Sequence, residues 1–432
     1  MTLNKQILRL AVPNIVTNIT IPILASVDIG LMGHTGFVKF IGAISLGNMI
    51  FSLLFWIFSF LRMGTSGFVA QSYGKRDLSE SVHILLRSVI MGFSAGVLLI
   101  ALQFPIEALS FKLLKASEGV EELAKQYFRI RIYAAPATLL IYVATGWFIG
   151  MQNAKFPMIL AISVNSLNVV LSIIFIRVLN LGSNGVAYAN LISQWFGFLL
   201  ILILLRPYLF KLKKHINTRQ LFDKRKFIAF INVNRDIFIR TLCLISVLTF
   251  YTAESARMGD ELLAVNTILF QFFYFFSYFI DGFGYAAEAL VGKHYGAKNA
   301  LMLKTTIKRL FVWGVGIALI FTLVYFIFYD NILHLLTDQE EIVQIAHKYI
   351  FWIWLVPAFS FSAFLWDGIY VGATASAPMR NSMIIASIVL FFPIYFIFKG
   401  SLNNHALWLA MSIFLLARGV LLGLVSKKHI VV

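Results

Sequence analysis

The stretch LAVPNIVTNITIPILASVDIGLMG, residues 10–33, decides how the rest of the chain folds. It is apolar and long enough to cross a bilayer as one helix of roughly 20 residues, yet it contains Asp28. At helical spacing Asn14, Asn18 and Asp28 fall on one face, so we expect these polar side chains to point away from lipid. Because a carboxylate at membrane depth is costly, this helix is a candidate functional element.

The same stretch predicts a helix that bends. Pro22 has no backbone N–H, so it cannot donate a hydrogen bond to the carbonyl of Asn18. This leaves an acceptor free beside the polar face and weakens the helix at that turn. We therefore predict a hinge at Pro22.

The composition excludes a soluble globular protein. The chain has 432 residues, of which 60% are hydrophobic and 13% charged, and its mean hydropathy is +0.85. Such values are typical of integral membrane proteins. The single cysteine, Cys243, rules out an internal disulfide framework.

The net charge of +17 follows the positive-inside pattern and does not predict nucleic-acid binding. Twelve apolar windows between residues 7 and 426 are each long enough to span a membrane. If the N-terminus is cytoplasmic, 24 Lys and Arg residues fall on the inner side and 10 on the outer side, leaving Arg62 and Arg418 in spans. We therefore predict an all-α integral membrane protein with twelve transmembrane helices and both termini in the cytoplasm.

A basic polar break near the middle divides these helices into two groups of six. We predict an N-terminal lobe at residues 1–206 with helices 1–6, a basic cytoplasmic linker at 207–230, and a C-terminal lobe at 231–432 with helices 7–12. Because six helices return the chain to its starting side, the lobes should be parallel repeats.

Matching motifs support this internal repeat. Gly146-Trp-Phe-Ile-Gly150 and Gly368-Ile-Tyr-Val-Gly372 end the fourth and tenth predicted helices, 222 positions apart. With a four-residue insertion, Asp28 of helix 1 aligns with Glu254 of helix 7. Glycines and acids that agree in order predict two related lobes and a transporter architecture.

Five acids fall inside predicted spans, and they are the candidates for ion coupling: Asp28, Glu254, Asp281, Glu288 and Asp367. Each must face water, pair with a base or be protonated, because an isolated charge costs at least about 2.5 kcal/mol at the bilayer centre. Asp28 has no basic residue in its own helix, so we expect it to carry protons.

Amides and a hydroxyl in the N-terminal lobe are the candidate neighbours of Asp28. Asn165, Asn168 and Ser172 share one face of helix 5, and Asn190 lies in helix 6. These groups are able to hydrogen-bond a substrate or the acid, although intramembrane Asn and Ser also hold helices together.

The C-terminal lobe offers a candidate cation or proton site. If Glu254 and Asp367 converge, two carboxylates suit sodium or a shared proton. Asp281 and Glu288 lie seven residues apart on one face of helix 8, and Glu288 is alternatively an interfacial partner of Lys293.

The sequence lacks a Walker A loop and the HExxH and GxSxG motifs. We therefore expect no enzyme activity and no cofactor, with transport driven by an ion gradient.

Five segments together resemble the multidrug and toxic compound extrusion (MATE) family, nearest its DinF-like branch. These are residues 10–34, RMGTSGFVAQSYGKRD at 62–77, NRDIFIRTL at 234–242, FIDGFGYAAEALVGKHYGAKN at 279–299 and LWDGIYVGATASAPMRNSM at 365–383. The resemblance implies a V-shaped pair of lobes in a prokaryotic inner membrane, and multidrug efflux by exchange of an exported compound for protons or sodium.

The resemblance also assigns residues. The family's N-lobe aspartate matches Asp28, its bending proline matches Pro13, and its helix 5 asparagine matches Asn168. Ser172 stands where related proton-coupled members often carry a second aspartate. Glu254 and Asp367 match positions similar to the C-lobe cation site of sodium-coupled relatives.

We therefore expect a secondary antiporter, working as a monomer, that exports amphipathic, cationic organic compounds in exchange for protons by alternating access. Two alternatives stay open: sodium-coupled efflux through Glu254 and Asp367, and a lipid-linked oligosaccharide flippase of related architecture.

Overall fold

The computed structural model describes residues 2–33, 38–114, 117–212, 214 and 216–430, and these are helical nearly throughout. The α-helices are α1 Leu3–Gly33, α2 Val38–Ile57, α3 Phe60–Gly74, α4 Leu78–Ala101, α5 Gln103–Leu113, α6 Glu118–Arg131, α7 Ala135–Gly150, α8 Lys155–Ile173, α9 Gly182–Leu212, α10 Thr218–Leu221, α11 Lys224–Arg257, α12 Asp260–Gly296, α13 Ala300–Leu336, α14 Glu340–His347, α15 Ile350–Gly372, α16 Ser376–Ile384, α17 Phe392–Leu402 and α18 Asn404–His429. A 3₁₀ turn at Ile132–Ala134 and π-helical segments at Ile174–Val178 and Ile385–Phe391 complete the spans.

Twelve helical stretches within the described residues are long and apolar enough to cross a membrane. Three of them join consecutive helices: α2 with α3, α6 with α7, and α16 with α17. The predicted all-α membrane fold with twelve spans is confirmed.

The chain forms two compact units. One, which we call the C-unit, contains residues 1–15 and 230–432; the other, the N-unit, contains residues 16–229. The first half of α1 packs closely on α12 within the C-unit, at a position where Gly282 has no side chain. A Cβ at Gly282 would lie 2.9 Å from the carbonyl oxygen of Ala11.

Much of the predicted linker at residues 207–230 is helical. Helix α9 continues to Leu212, and α11 already begins at Lys224. Between them, α10 is held against α4 within the N-unit by buried Arg87, whose Nε donates to the carbonyl of Leu221 at 2.9 Å and whose Nη2 donates to Gln220 at 2.5 Å. These bonds satisfy carbonyls at the end of α10.

The backbone carries the predicted internal repeat. Left-handed φ angles occur at Arg76 (58°) and Lys298 (53°), and again at Gln152 (62°) and Thr374 (54°). Both pairs are 222 positions apart and end matching helices. Because non-glycine residues rarely adopt this conformation, its recurrence at one offset confirms the repeat.

Close helix crossings recur at the same offset. A Cβ at Gly150 would lie 2.8 Å from the carbonyl oxygen of Ser66, and one at Gly372 would lie 2.6 Å from that of Glu288. Likewise, a Cβ at Gly368 would collide with the carbonyl of Gly284. These glycines let α7 pack on α3, and α15 on α12, at backbone contact distance.

This packing predicts the effect of adding one methyl group. Gly368→Ala should destabilise the protein by about 1–3 kcal/mol, because the backbone of α12 must move. Gly316→Ala in α13 is the control, since nothing lies within 4 Å of its added Cβ. Thermal unfolding in detergent measures both, and equal melting temperatures for the two variants would contradict the close crossing.

Candidate functional site

A polar cluster in the N-unit contains the residues predicted on helix 5, now α8. Asn165 Nδ2 donates to Thr20 Oγ1 of α1 at 2.9 Å, and Ser172 Oγ donates to Asn168 Oδ1 at 3.4 Å. Asn168 and Ser172 are buried, as is Asn190 on α9, which packs against α8. The structure thus brings α1 and α8 together through amide and hydroxyl groups.

Thr20 is the member of this cluster that sequence reasoning missed. Its hydroxyl also donates to the carbonyl of Thr17 at 2.7 Å. Thr20 is a polar residue between Ile19 and Ile21, and this polarity is the signal by which the sequence could have identified it.

The polar face of α1 is divided between the two units. Asn14 is buried in the C-unit and donates to its own helix at the carbonyl of Leu10, 2.8 Å away. Asn18 is buried in the N-unit. The side chain of Asp28 lies outside the described residues, and so does any contact it makes.

Both predicted hinge prolines lie inside one continuous helix. α1 runs from Leu3 to Gly33 through Pro13 and Pro22 without a break in its assigned helical backbone. A hinge at either proline stays a prediction, because bending requires a second conformation.

Asp367 of α15 is bound by two arginines within the C-unit. Arg240 Nη2 of α11 and Arg418 Nη2 of α18 both donate to Asp367 Oδ2, the latter at 2.6 Å. The side chain of Arg418 is only 3% exposed and that of Asp367 10%. The carboxylate that was predicted from the sequence as a candidate sodium ligand therefore accepts hydrogen bonds from two guanidinium groups.

Glu254 of α11 has different partners. Tyr395 Oη donates to Glu254 Oε2 at 2.7 Å, and Arg257 Nη1 donates to Oε1 at 2.5 Å. The Arg257 side chain is 76% exposed, whereas that of Glu254 is 11% exposed. Glu254 is thus a nearly buried acid whose basic partner, Arg257, is largely exposed to solvent.

Glu254 and Asp367 do not converge. Asp367 contacts α11 at Arg240, which precedes Glu254 by 14 positions. At 1.5 Å per residue, this separation is about 21 Å along α11. The sequence left open whether these carboxylates converge; in this structure they lie apart, with two arginines bonded to Asp367 and a third to Glu254.

The other two candidate acids in the C-unit lie on α12. Asp281 lies within electrostatic range of Arg418 in the Asp367 cluster. Glu288 is 2% exposed. Arg240, Arg418, Asp367 and Asp281 thus contribute two positive and two negative formal charges from four helices.

A network of uncharged side chains includes Ser255, the residue that follows Glu254. Asn266 and Asn404 donate to each other at 2.8 and 3.0 Å, and Asn266 also donates to Ser255 at 2.8 Å. Trp408 Nε1 donates to Asn266 Oδ1 at 2.9 Å. The network connects α11, α12 and α18 without a formal charge. It was not predicted from the sequence.

Comparisons with known proteins agree with this architecture. The chain is 34% identical to DNA damage-inducible protein F of Escherichia coli K12 over 436 residues, covering 99% of this chain and 92% of that protein. It is 24% identical to Multidrug and toxin extrusion protein 1 of Danio rerio over 415 residues, covering 94% and 68%.

Solved structures show the same fold. A crystal structure of MATE in the bent conformation matches with a TM-score of 0.88 at 21% identity, covering 100% of this chain and 96% of that one. An outward-facing multidrug resistance MATE family transporter of the MOP superfamily gives 0.85 at 21% identity, with the same coverage.

The MatE family model matches both repeats, at residues 13–174 and 237–397. With the family model covering most of the chain and a relative similar over nearly its full length, the resemblance is confirmed. The chain belongs to the MatE family.

Proposed function

We propose that this protein is a secondary antiporter that exports amphipathic, cationic organic compounds in exchange for protons by alternating access, with Asp28 carrying the proton. The extrusion activity is supported by family membership and by the relative named Multidrug and toxin extrusion protein 1. The choice of ion is supported by the partners of the C-unit acids.

One observation carries the assignment of coupling to Asp28 and not to Asp367: Asp367 Oδ2 accepts hydrogen bonds from both Arg240 and Arg418. A sodium ion at this carboxylate would stand beside two buried cations, and like charges repel strongly in a poorly screened interior. A proton on Oδ2 would have to displace the charge-assisted hydrogen bonds that this oxygen accepts. Asp367 is therefore a poor site for either coupling ion.

Glu254 is also bonded to a base, but this base is exposed to solvent and not buried. Arg257 and Tyr395 both donate hydrogen bonds to its carboxylate. Its internal-repeat counterpart is Asp28, on a helix that has no base between Arg9 and its end at Gly33. This contrast supports Asp28 as the acid that exchanges its proton for a cation.

In the proposed cycle, ionised Asp28 attracts the cationic compound from the cytoplasm. Protonation from outside removes the negative charge, which releases the compound and permits the return step. The amide and hydroxyl groups of Asn165, Asn168 and Ser172 supply neutral hydrogen-bonding positions in the same unit.

The orientation and assembly are part of the proposal. The excess of basic residues on one side, 24 against 10, supports cytoplasmic termini in a prokaryotic inner membrane. Because one chain contains both repeats, we propose that a monomer is sufficient, without a cofactor or enzymatic step.

The test is efflux of a fluorescent amphipathic cation from proteoliposomes under proton and sodium gradients imposed separately. We expect a proton gradient alone to drive efflux and a sodium gradient alone to give the rate of protein-free vesicles. Efflux that follows sodium and ignores the proton gradient would refute proton coupling and favour the sodium alternative.

A further inference from the structure

A groove of about 210 Å³ lies in the C-unit between the start of the eleventh span and the end of α18. Its walls are two stripes of side chains at helical spacing. One stripe contains Pro378, Ser382 and Ile385, and the other contains Leu421, Val425 and His429. Because residues three and four apart share a helix face, each wall is one continuous face.

The groove changes from apolar to polar along its length. Ile385 and Leu421 are the lining residues furthest in sequence from the mouth, which lies where α16 begins at Ser376 and α18 ends at His429. Asn381 adds an exposed amide to the lining at this end. The groove therefore has a hydrocarbon-like interior and a hydrogen-bonding mouth.

The mouth has an unpaired lysine beside it. Lys428 is exposed in the last turn of α18, three residues after Val425 and therefore on the side of the helix that faces the groove, and among the described residues it forms no ion pair. The nearby acid Asp236 is already bonded to Arg380 at 2.7 Å and to Ser376 at 2.9 Å. An anion at the mouth would thus meet an uncompensated lysine.

The surface around the groove is suited to lipid. Leu424 is 73% exposed and Ile388 57%, and both flank the groove on membrane-spanning segments. Drug-sized ligands usually occupy enclosed pockets of about 300–1,000 Å³, so this groove is too small and too open for one. An acyl chain that remains partly in the bilayer does not need full enclosure.

We propose that this groove binds one anionic phospholipid, with an acyl chain between α16 and α18 and the phosphate at Lys428 and His429. Basic pockets between membrane helices on the cytoplasmic side are typical sites for anionic headgroups. The proposed orientation places the end of α18 on that side. Lipid binding here is independent of which ion drives transport.

The test compares retained lipid by native mass spectrometry after reconstitution with phosphatidylglycerol or phosphatidylcholine. The first variant is Lys428→Ala, and its matched control is Lys427→Ala, the neighbouring exposed lysine on the opposite face of α18. A second variant, Val425→Trp, fills the groove and keeps every charge.

We expect the wild type and Lys427→Ala to retain phosphatidylglycerol in preference to phosphatidylcholine. Lys428→Ala should bind it roughly fivefold more weakly, because it removes a positive charge on the side of α18 that faces the groove. Val425→Trp should also lose the bound lipid. Equal retention of both lipids, or equal losses in the two lysine variants, would overturn the proposal, as would full retention by Val425→Trp.

Discussion

Arg418→Ala should lower the free energy of unfolding by about 3–5 kcal/mol, because removing one partner of a buried ion pair leaves charge uncompensated. Arg418 is 3% exposed at the side chain and bonds Asp367 directly. Asp367 would keep only Arg240, and Asp281 would lose the positive charge with which it interacts.

The matched control for this variant is Arg257→Ala. Arg257 also bonds an acid, Glu254, but its side chain is 76% exposed. Exposed ion pairs contribute about 0–1 kcal/mol, so this variant should unfold near the wild-type temperature. Thermal unfolding in detergent measures both, and an Arg418→Ala protein as stable as Arg257→Ala would contradict a structural role for the cluster.

Asp28→Asn should reduce proton-driven efflux to near the rate of protein-free vesicles, because it removes the group to which the proposal assigns the exchanged proton. Asparagine keeps the size of the side chain but can neither ionise nor exchange a proton. Initial efflux rates in proteoliposomes under a proton gradient measure this loss.

Glu254→Gln is the control at the corresponding position of the second repeat. It should retain most proton-driven efflux, because Glu254 is bonded to Arg257 and Tyr395 and is not assigned the proton. The reverse outcome, with Glu254→Gln inactive and Asp28→Asn active, would move coupling to the C-unit.

The sequence predicted the fold because its constraints are local and repeated. Apolar windows of spanning length are visible without any contact information. The glycines at Gly150 and Gly372 were recognisable as a pair at one offset, and the structure gives the reason: both permit the same close helix crossing.

The chemistry of the acids was less predictable because it depends on partners distant in the chain. Asp367 was identified as an intramembrane acid, but Arg240 is 127 positions away and was counted among the 24 basic residues of the inner side. Spacing along one helix cannot show which base another helix supplies. Similarly, the bond between Thr20 and Asn165 joins residues 145 positions apart.

The central claim is that a proton and a cationic substrate compete for Asp28. Proton release on substrate binding tests it most directly, using detergent-purified protein in weakly buffered solution near neutral pH with a pH-sensitive dye. Adding an amphipathic cation should release up to about one proton per wild-type protein, because binding that favours the ionised acid must expel its proton. Asp28→Asn should release none. Equal release from both proteins, or no release from the wild type at any pH at which it binds the cation, would contradict the claim.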